Sequence, residues 1–142
     1  VFTHARAKLN TWAFKLLNEV AVNSFYNGTE YNMWHNMRLL AVDGTRLVLP
    51  NHHTVVEEFG VHQFGPKADS AHSLAMASLL YDVLNLITID SQIAPYASSE
   101  RDLLMEHLDQ VKSGDLLLLD RDIPVSGYCF YSRPKASSFV SA

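Results

Sequence analysis

Two short apolar runs, Leu39-Leu40-Ala41-Val42 and Leu116-Leu117-Leu118-Leu119, each end in an aspartate, Asp43 and Asp120. Both are too short for a stable helix and apolar at successive positions, the pattern of a strand covered on both faces. Before the second run, Ser99 and Asp102 read as an N-cap followed three residues later by an acid. The apolar positions Leu103, Leu104, His107, Leu108 and Val111 extend that start into a helix, and Gly114 is its expected C-terminal stop. A helical crossover allows two buried strands to lie side by side. Asp43 and Asp120 would then emerge together from one end of a mixed sheet, which makes the chain an α/β protein with flanking helices.

The remaining segments fit around that sheet. From about Ala5 to Phe25, Leu9, Trp12, Ala13, Leu16, Leu17, Val20 and Ala21 recur at helical spacing and predict an amphipathic helix with Trp12 in the core. Asn27-Gly28 is expected to break it. Residues 50–70, punctuated by Pro50, Asn51, Gly60, Gly65 and Pro66, read as a loop. Ala71 to Ile93 predicts two strands joined by a tight turn near Asp82 to Asn85, with Ile87, Ile89 and Ile93 on one side of the second and Thr88, Asp90 and Gln92 on the other. The tail from Ile123 to Ala142 is expected to hold a short helix and the start of a strand.

The chain's 142 residues, 48% hydrophobic and 18% charged, fit one compact domain spanning 1–142. The single cysteine, Cys129, forms neither an internal disulfide nor a zinc cluster. No apolar run is long enough to span a bilayer and no leading segment has a signal-peptide layout, so a cytoplasmic location, with no membrane partner, is expected. The Asn27-Gly28-Thr29 sequon is read as chance. With 11 Lys+Arg against 15 Asp+Glu the formal net charge is −4, the wrong sign for a self-sufficient DNA-binding domain. DNA binding by the chain alone is therefore expected to be weak and steeply salt-dependent.

Two carboxylates at adjoining strand ends are hard oxygen donors. They suit Mg²⁺ or Mn²⁺, which keep waters and take phosphate oxygens as further ligands. Other candidates are weaker. The seven histidines include no His-x-x-x-His or Cys-His spacing, so a zinc site is not expected. His72 reads as half-buried on a strand, and His107 as core on the apolar face of its helix. Ser98 and Ser99 read as cap residues, since no Gly-x-Ser-x-Gly elbow exists. Arg46, Lys67 and Arg121 are weak candidates for contact with DNA phosphate.

Several segments together resemble a known family. Leu39-Leu40-Ala41-Val42-Asp43-Gly44-Thr45, followed by Leu47-Val48-Leu49-Pro50, is similar to the first acidic motif of DDE transposases from bacterial insertion sequences, specifically the fourth insertion-sequence family. Leu116-Leu117-Leu118-Leu119-Asp120-Arg121 resembles the second acidic motif. Leu79-Leu80-Tyr81-Asp82-Val83 and Ala94-Pro95-Tyr96-Ala97-Ser98-Ser99-Glu100-Arg101 resemble the intervening hairpin and helix start. The likeness runs from about Lys8 to Phe130. It implies a ribonuclease H-like fold, incomplete at the C-terminus. It also implies metal-dependent cleavage and transfer of DNA strands at mobile-element ends, with Asp43 and Asp120 as catalytic metal ligands.

The chain departs from the family pattern in two places. Asp120-Arg121-Asp122-Ile123 has an acid where the family has glycine. The family's third acid, a glutamate on a later helix in a Tyr, Arg, Glu, Lys signature, has no counterpart, because no glutamate follows Asp120. Glu100 precedes Asp120 at a helix start and is not taken as the substitute. The chain as given is accordingly expected to be the front part of a catalytic core that does not itself cut DNA and that is prone to self-association. Two other readings stay open: a ribonuclease H-like nuclease without strand transfer, and an inactive remnant with an assembly or regulatory role.

Overall fold

A computed structural model of the chain describes residues 8–63, 71–120 and 138–141. Helix α1 covers Thr11–Gly28, α2 His53–Phe59 and α3 Glu100–His107. The strands are β1 Arg38–Leu49, β2 His62–Gln63, β3 Ala71–Asp82, β4 Ile87–Pro95, β5 Asp115–Leu119 and β6 Ser138–Ser141. They form one mixed six-stranded sheet in the order β2-β3-β1-β5-β6, with β4 also paired to β3. The β1–β3, β2–β3 and β3–β4 pairs are antiparallel, whereas β1–β5 and β5–β6 are parallel. The fold is α/β, an open mixed sheet with flanking helices. No helix among the described residues is long and apolar enough to cross a membrane.

The core lies on one face of this sheet. Leu40 and Val42 of β1, Leu80 of β3, Ile89 of β4, and Leu117 and Leu119 of β5 pack there with Leu104 of α3 and Val22 of α1. Alternation along β1 sends Leu39, Ala41 and Asp43 to the opposite face, so the strand is not evenly buried on both sides as its run of apolar residues predicts. β1 is also longer than expected. Beyond Asp43 it continues to Leu49 as one arm of a hairpin with β3, from Asp43↔Leu79 to Leu49↔Ser73.

Helix α1 is the largest correction. Its N-cap is Asn10, whose side chain accepts from the Trp12 amide, and it ends at Gly28, where Asn27-Gly28 is expected to break it. Its inward line is Asn18, Val22 and Tyr26, one turn apart. Val22 is buried, Tyr26 packs against the core, and Asn18 Nδ2 donates to the Ile89 carbonyl at 2.9 Å. The apolar line of Leu9, Trp12, Leu16 and Val20 faces away, with Leu17 and Phe14 also exposed. Trp12 is 60% exposed and is not a core residue. Periodicity identifies an apolar stripe but not which neighbour takes it.

The segment after Pro50 is not wholly a loop, because it forms α2 and β2 before residues 64–70, which lie outside the description. The β3–β4 hairpin forms around Val83–Leu86 as expected. Its register shifts between Leu80↔Asp90 and Tyr81↔Thr88, leaving Ile89 as the extra residue of a bulge. The bulge breaks the predicted alternation. Asp90 and Gln92 pair with Leu80 and Ser78 and so share their face, Ile89 is buried, and Ile93 is 56% exposed. Ser99 caps α3 by accepting from the Arg101 amide, as its sequence predicts. The helix ends earlier than Gly114, passing into a 3-10 turn at Leu108–Gln110. Gly114, at φ 90°, serves instead as the turn into β5, where an L side chain would be strained.

Candidate functional site

The parallel ladder between β1 and β5 runs from Arg38↔Asp115 to Val42↔Leu119. Asp120 directly follows β5; if the ladder continued one step it would lie opposite Asp43, at about the 4.8 Å spacing of neighbouring strands. Both side chains follow the alternation of Ala41 and Leu118 onto the face away from the core, and both are exposed. Among the described residues neither carboxylate is engaged in an ion pair or a side-chain hydrogen bond. Each acid thus directly follows a residue of the last β1–β5 pair, Val42↔Leu119. Arg46 lies further along β1, while Lys67 and Arg121 lie outside the described residues, as do Asp122 and Cys129.

What holds this register is a charged pair at the opposite end of the ladder. Arg38 and Asp115 are buried register partners. Arg38 Nε donates to Asp115 Oδ1 at 2.7 Å and Nη2 to Oδ2 at 2.5 Å. The Lys112 amide donates to the same carboxylate at 2.7 Å. Burial alone would lower the Arg38 pKa, but the hydrogen bonds and charge of Asp115 outweigh it and raise the value. The Arg38 guanidinium also stacks over Tyr26, 4.8 Å from the ring centroid. The Tyr26 hydroxyl donates to Asp82 at 2.5 Å, and burial followed by that bond raises its pKa strongly. Asp82 in turn accepts from the Leu84 and Asn85 amides, which closes the β3–β4 turn. A buried bidentate pair is satisfied only in one geometry. Sliding β5 by one residue would separate its partners and move Asp120 to the other face.

Helix α3 approaches the acids from the core side. Glu100 Oε1 lies 3.4 Å from the position a Cβ would occupy at Gly44, so glycine after Asp43 leaves room for the helix start. The far end of α3 is fixed by His107, which is fully buried. Its Nδ1 donates to Asp90 at 2.8 Å, and its Nε2 lies 3.0 Å from the Ser78 hydroxyl. Gln92 Nε2 supports Asp90 with a further donation at 2.9 Å. Sequence reasoning places His107 in the core but not its partners, because the bulge in β4 is what turns Asp90 toward it. The serine–histidine–aspartate order resembles a nucleophilic triad, yet Ser78 is only 3% exposed and no substrate reaches it. The group ties α3 to β3 and β4. His72, by contrast, is exposed rather than half-buried.

Two hard carboxylates on one face, with no cation engaging them, fit a divalent ion that retains most of its water. No group of three or more His, Cys, Asp or Glu side chains able to hold a metal occurs among the described residues. A cleft of about 600 Å³ lies between α1 and the β4–α3 side, lined by Asn18, Glu19, Asp90, Glu106, Asp109 and Lys112 among others. It includes neither Asp43 nor Asp120. No protein-family model, curated protein or solved structure matches the chain.

Proposed function

We propose that the protein is a DDE-type transposase core with a ribonuclease H-like fold, acting on DNA at mobile-element ends. Asp43 and Asp120 are its divalent-metal ligands. The observation that supports this reading is the parallel register of Val42 with Leu119, each followed directly by one of the two exposed acids. Leaving aside the two-residue β2, the first acid follows the core part of the first strand and the second ends the fourth, the placement expected for this family. A Mg²⁺ or Mn²⁺ ion held there would neutralise charge that builds on phosphate oxygens during strand cleavage and transfer. The protein's own part is to present two unpaired carboxylates at fixed separation and to keep their register through Arg38 and Asp115.

Titration calorimetry with Mn²⁺ tests the reading. Wild-type protein is expected to bind weakly at a single site, and an Asp43→Ala, Asp120→Ala double variant not at all. Equal heats from the two proteins would remove the metal assignment. An inactive or assembly role is favoured by the absence of a third donor among the described residues. Supercoiled plasmid with Mg²⁺ or Mn²⁺ separates the two readings of activity. Nicking that disappears in the double variant would show that two acids suffice, whereas no nicking despite Mn²⁺ binding would show that a third acid is required.

A further inference from the structure

Past Asp43, no strand among the described residues pairs with β1 on the side away from β3, so Thr45 to Val48, all exposed, form an edge among those residues. Arg46 lies on this edge, about 10 Å along the strand from Asp43. It points to the face that carries α3, since it follows the alternation of Leu40 and Val42 along an unbroken register with β3. Its guanidinium lies over the Tyr96 ring, 5.5 Å from the centroid. The His62 ring meets the same tyrosine at 5.0 Å with an interplanar angle of 74°, and His62 is the direct cross-strand partner of His72. Arg46, Tyr96 and His62 come from β1, the turn after β4, and β2, so three separate elements converge on one small surface.

We propose that Arg46, oriented by Tyr96 and flanked by His62, is a binding site for a DNA backbone phosphate. This rests on the reading that the protein acts on DNA and adds to it where the strand is held. Stacking on an aromatic face holds a guanidinium planar while leaving its N–H edge free to grip phosphate in a fork. No carboxylate among the described residues consumes Arg46. Glu100, whose carboxylate lies against Gly44 two positions back, makes no ion pair with it. Arg38, by comparison, is buried and spent on Asp115. On a chain of net charge −4, a phosphate contact needs such a pre-oriented donor, because overall charge works against it. The site anchors a strand that wraps the β1 edge beside the acid pair and does not contact the bond being cut.

The test is fluorescence anisotropy of a labelled 20-base-pair duplex in EDTA, with salt varied upward from about 50 mM. Metal-free conditions keep it separate from the Mn²⁺ titration, so the acid-pair reading and this one can fail independently. Arg46→Gln is expected to weaken binding roughly tenfold at low salt. It should also lower the slope of log affinity against log salt by about one. Tyr96→Leu is expected to weaken binding while leaving the slope near wild type, because the charge stays but its orientation is lost. Lys112→Gln makes the same charge change at the far end of the β1–β5 pair and should leave the slope unchanged. Equal losses from Arg46→Gln and Lys112→Gln would overturn the proposal, as would a wild-type protein that does not bind DNA at low salt.

Discussion

The two ends of the β1–β5 pair carry the same chemical groups in opposite conditions. At one end Asp115 is buried, held by both edges of a guanidinium and by a backbone amide. At the other, a single register step past the last paired residues, Asp43 and Asp120 are exposed and engaged by no cation among the described residues. A carboxylate whose hydrogen-bonding capacity is satisfied inside the protein organises structure. One left unsatisfied in water is available to a ligand. Four residues of strand separate Asp115 from Asp120, and the satisfied end fixes the geometry of the other.

The sharpest way to break this comparison is to remove the satisfied acid. Asp115→Ala leaves Arg38 buried without its partner and is expected to cost about 3–5 kcal/mol in urea unfolding. If the pair acts as a register key, the variant that remains folded should also lose Mn²⁺ affinity. An Asp115→Leu, Arg38→Met double variant should recover stability without necessarily recovering metal binding. A loss within about 0.5 kcal/mol for Asp115→Ala would remove Asp115 as the anchor of the pair.

A smaller effect is expected at Tyr26, which joins the same anchored end. Tyr26→Phe removes one hydrogen bond to Asp82 and should cost about 1 kcal/mol. The tyrosine's pKa in the folded protein is raised above its ordinary value of 10.0. The folded state therefore holds this proton more tightly than the unfolded state does. Its contribution is complete below pH 10 and is lost as pH rises beyond it. Melting temperatures from pH 9 to 11.5 should fall more steeply for wild type than for Tyr26→Phe, and parallel curves would contradict the assignment.

The smallest expected effect lies at the exposed end and has the opposite sign. Like charges facing each other across neighbouring strands destabilise. In EDTA, Asp43→Asn or Asp120→Asn should raise the melting temperature by a degree or two. Added Mn²⁺ should stabilise wild type and neither variant. Variants that melt below wild type in EDTA would show that the two acids do not repel across the strand pair.

Much of the sheet is legible in the sequence because it is encoded locally. The apolar runs before Asp43 and Asp120, the β3–β4 turn and the Ser99 cap all lie within single segments, and each appears where its residues place it. The features that stay hidden are non-local. Nothing near Arg38 indicates a partner 77 residues away. The apolar run of Leu39 to Val42 does not disclose that β1 continues through Thr45-Arg46-Leu47, because the pairing strand β3 supplies the reason. The pair of acids was visible as a pattern, whereas the stacking of Arg46 on Tyr96 depends on a turn that brings residue 96 back to β1. Bulge chemistry is hidden too. An isoleucine run with polar residues between reads as simple alternation, and only the register shows the slip that buries Ile89 and exposes Ile93.

The outward line of α1 changes how the native protein would look to solution probes. Trp12, Leu16 and Val20 form an apolar strip on a folded helix, with Phe14 and Leu17 beside it and Leu9 exposed just before its cap. Dyes that brighten on apolar surface are used to diagnose loosely packed states. Here such a dye would find a binding strip on the folded protein, and its signal would come from the native state. Trp12, being mostly solvated, would emit at long wavelength before any unfolding and would shift little when the chain unravels. Loss of order in this protein is therefore better followed by far-ultraviolet circular dichroism or by protection of the β1 and β5 amides than by either fluorescence signal.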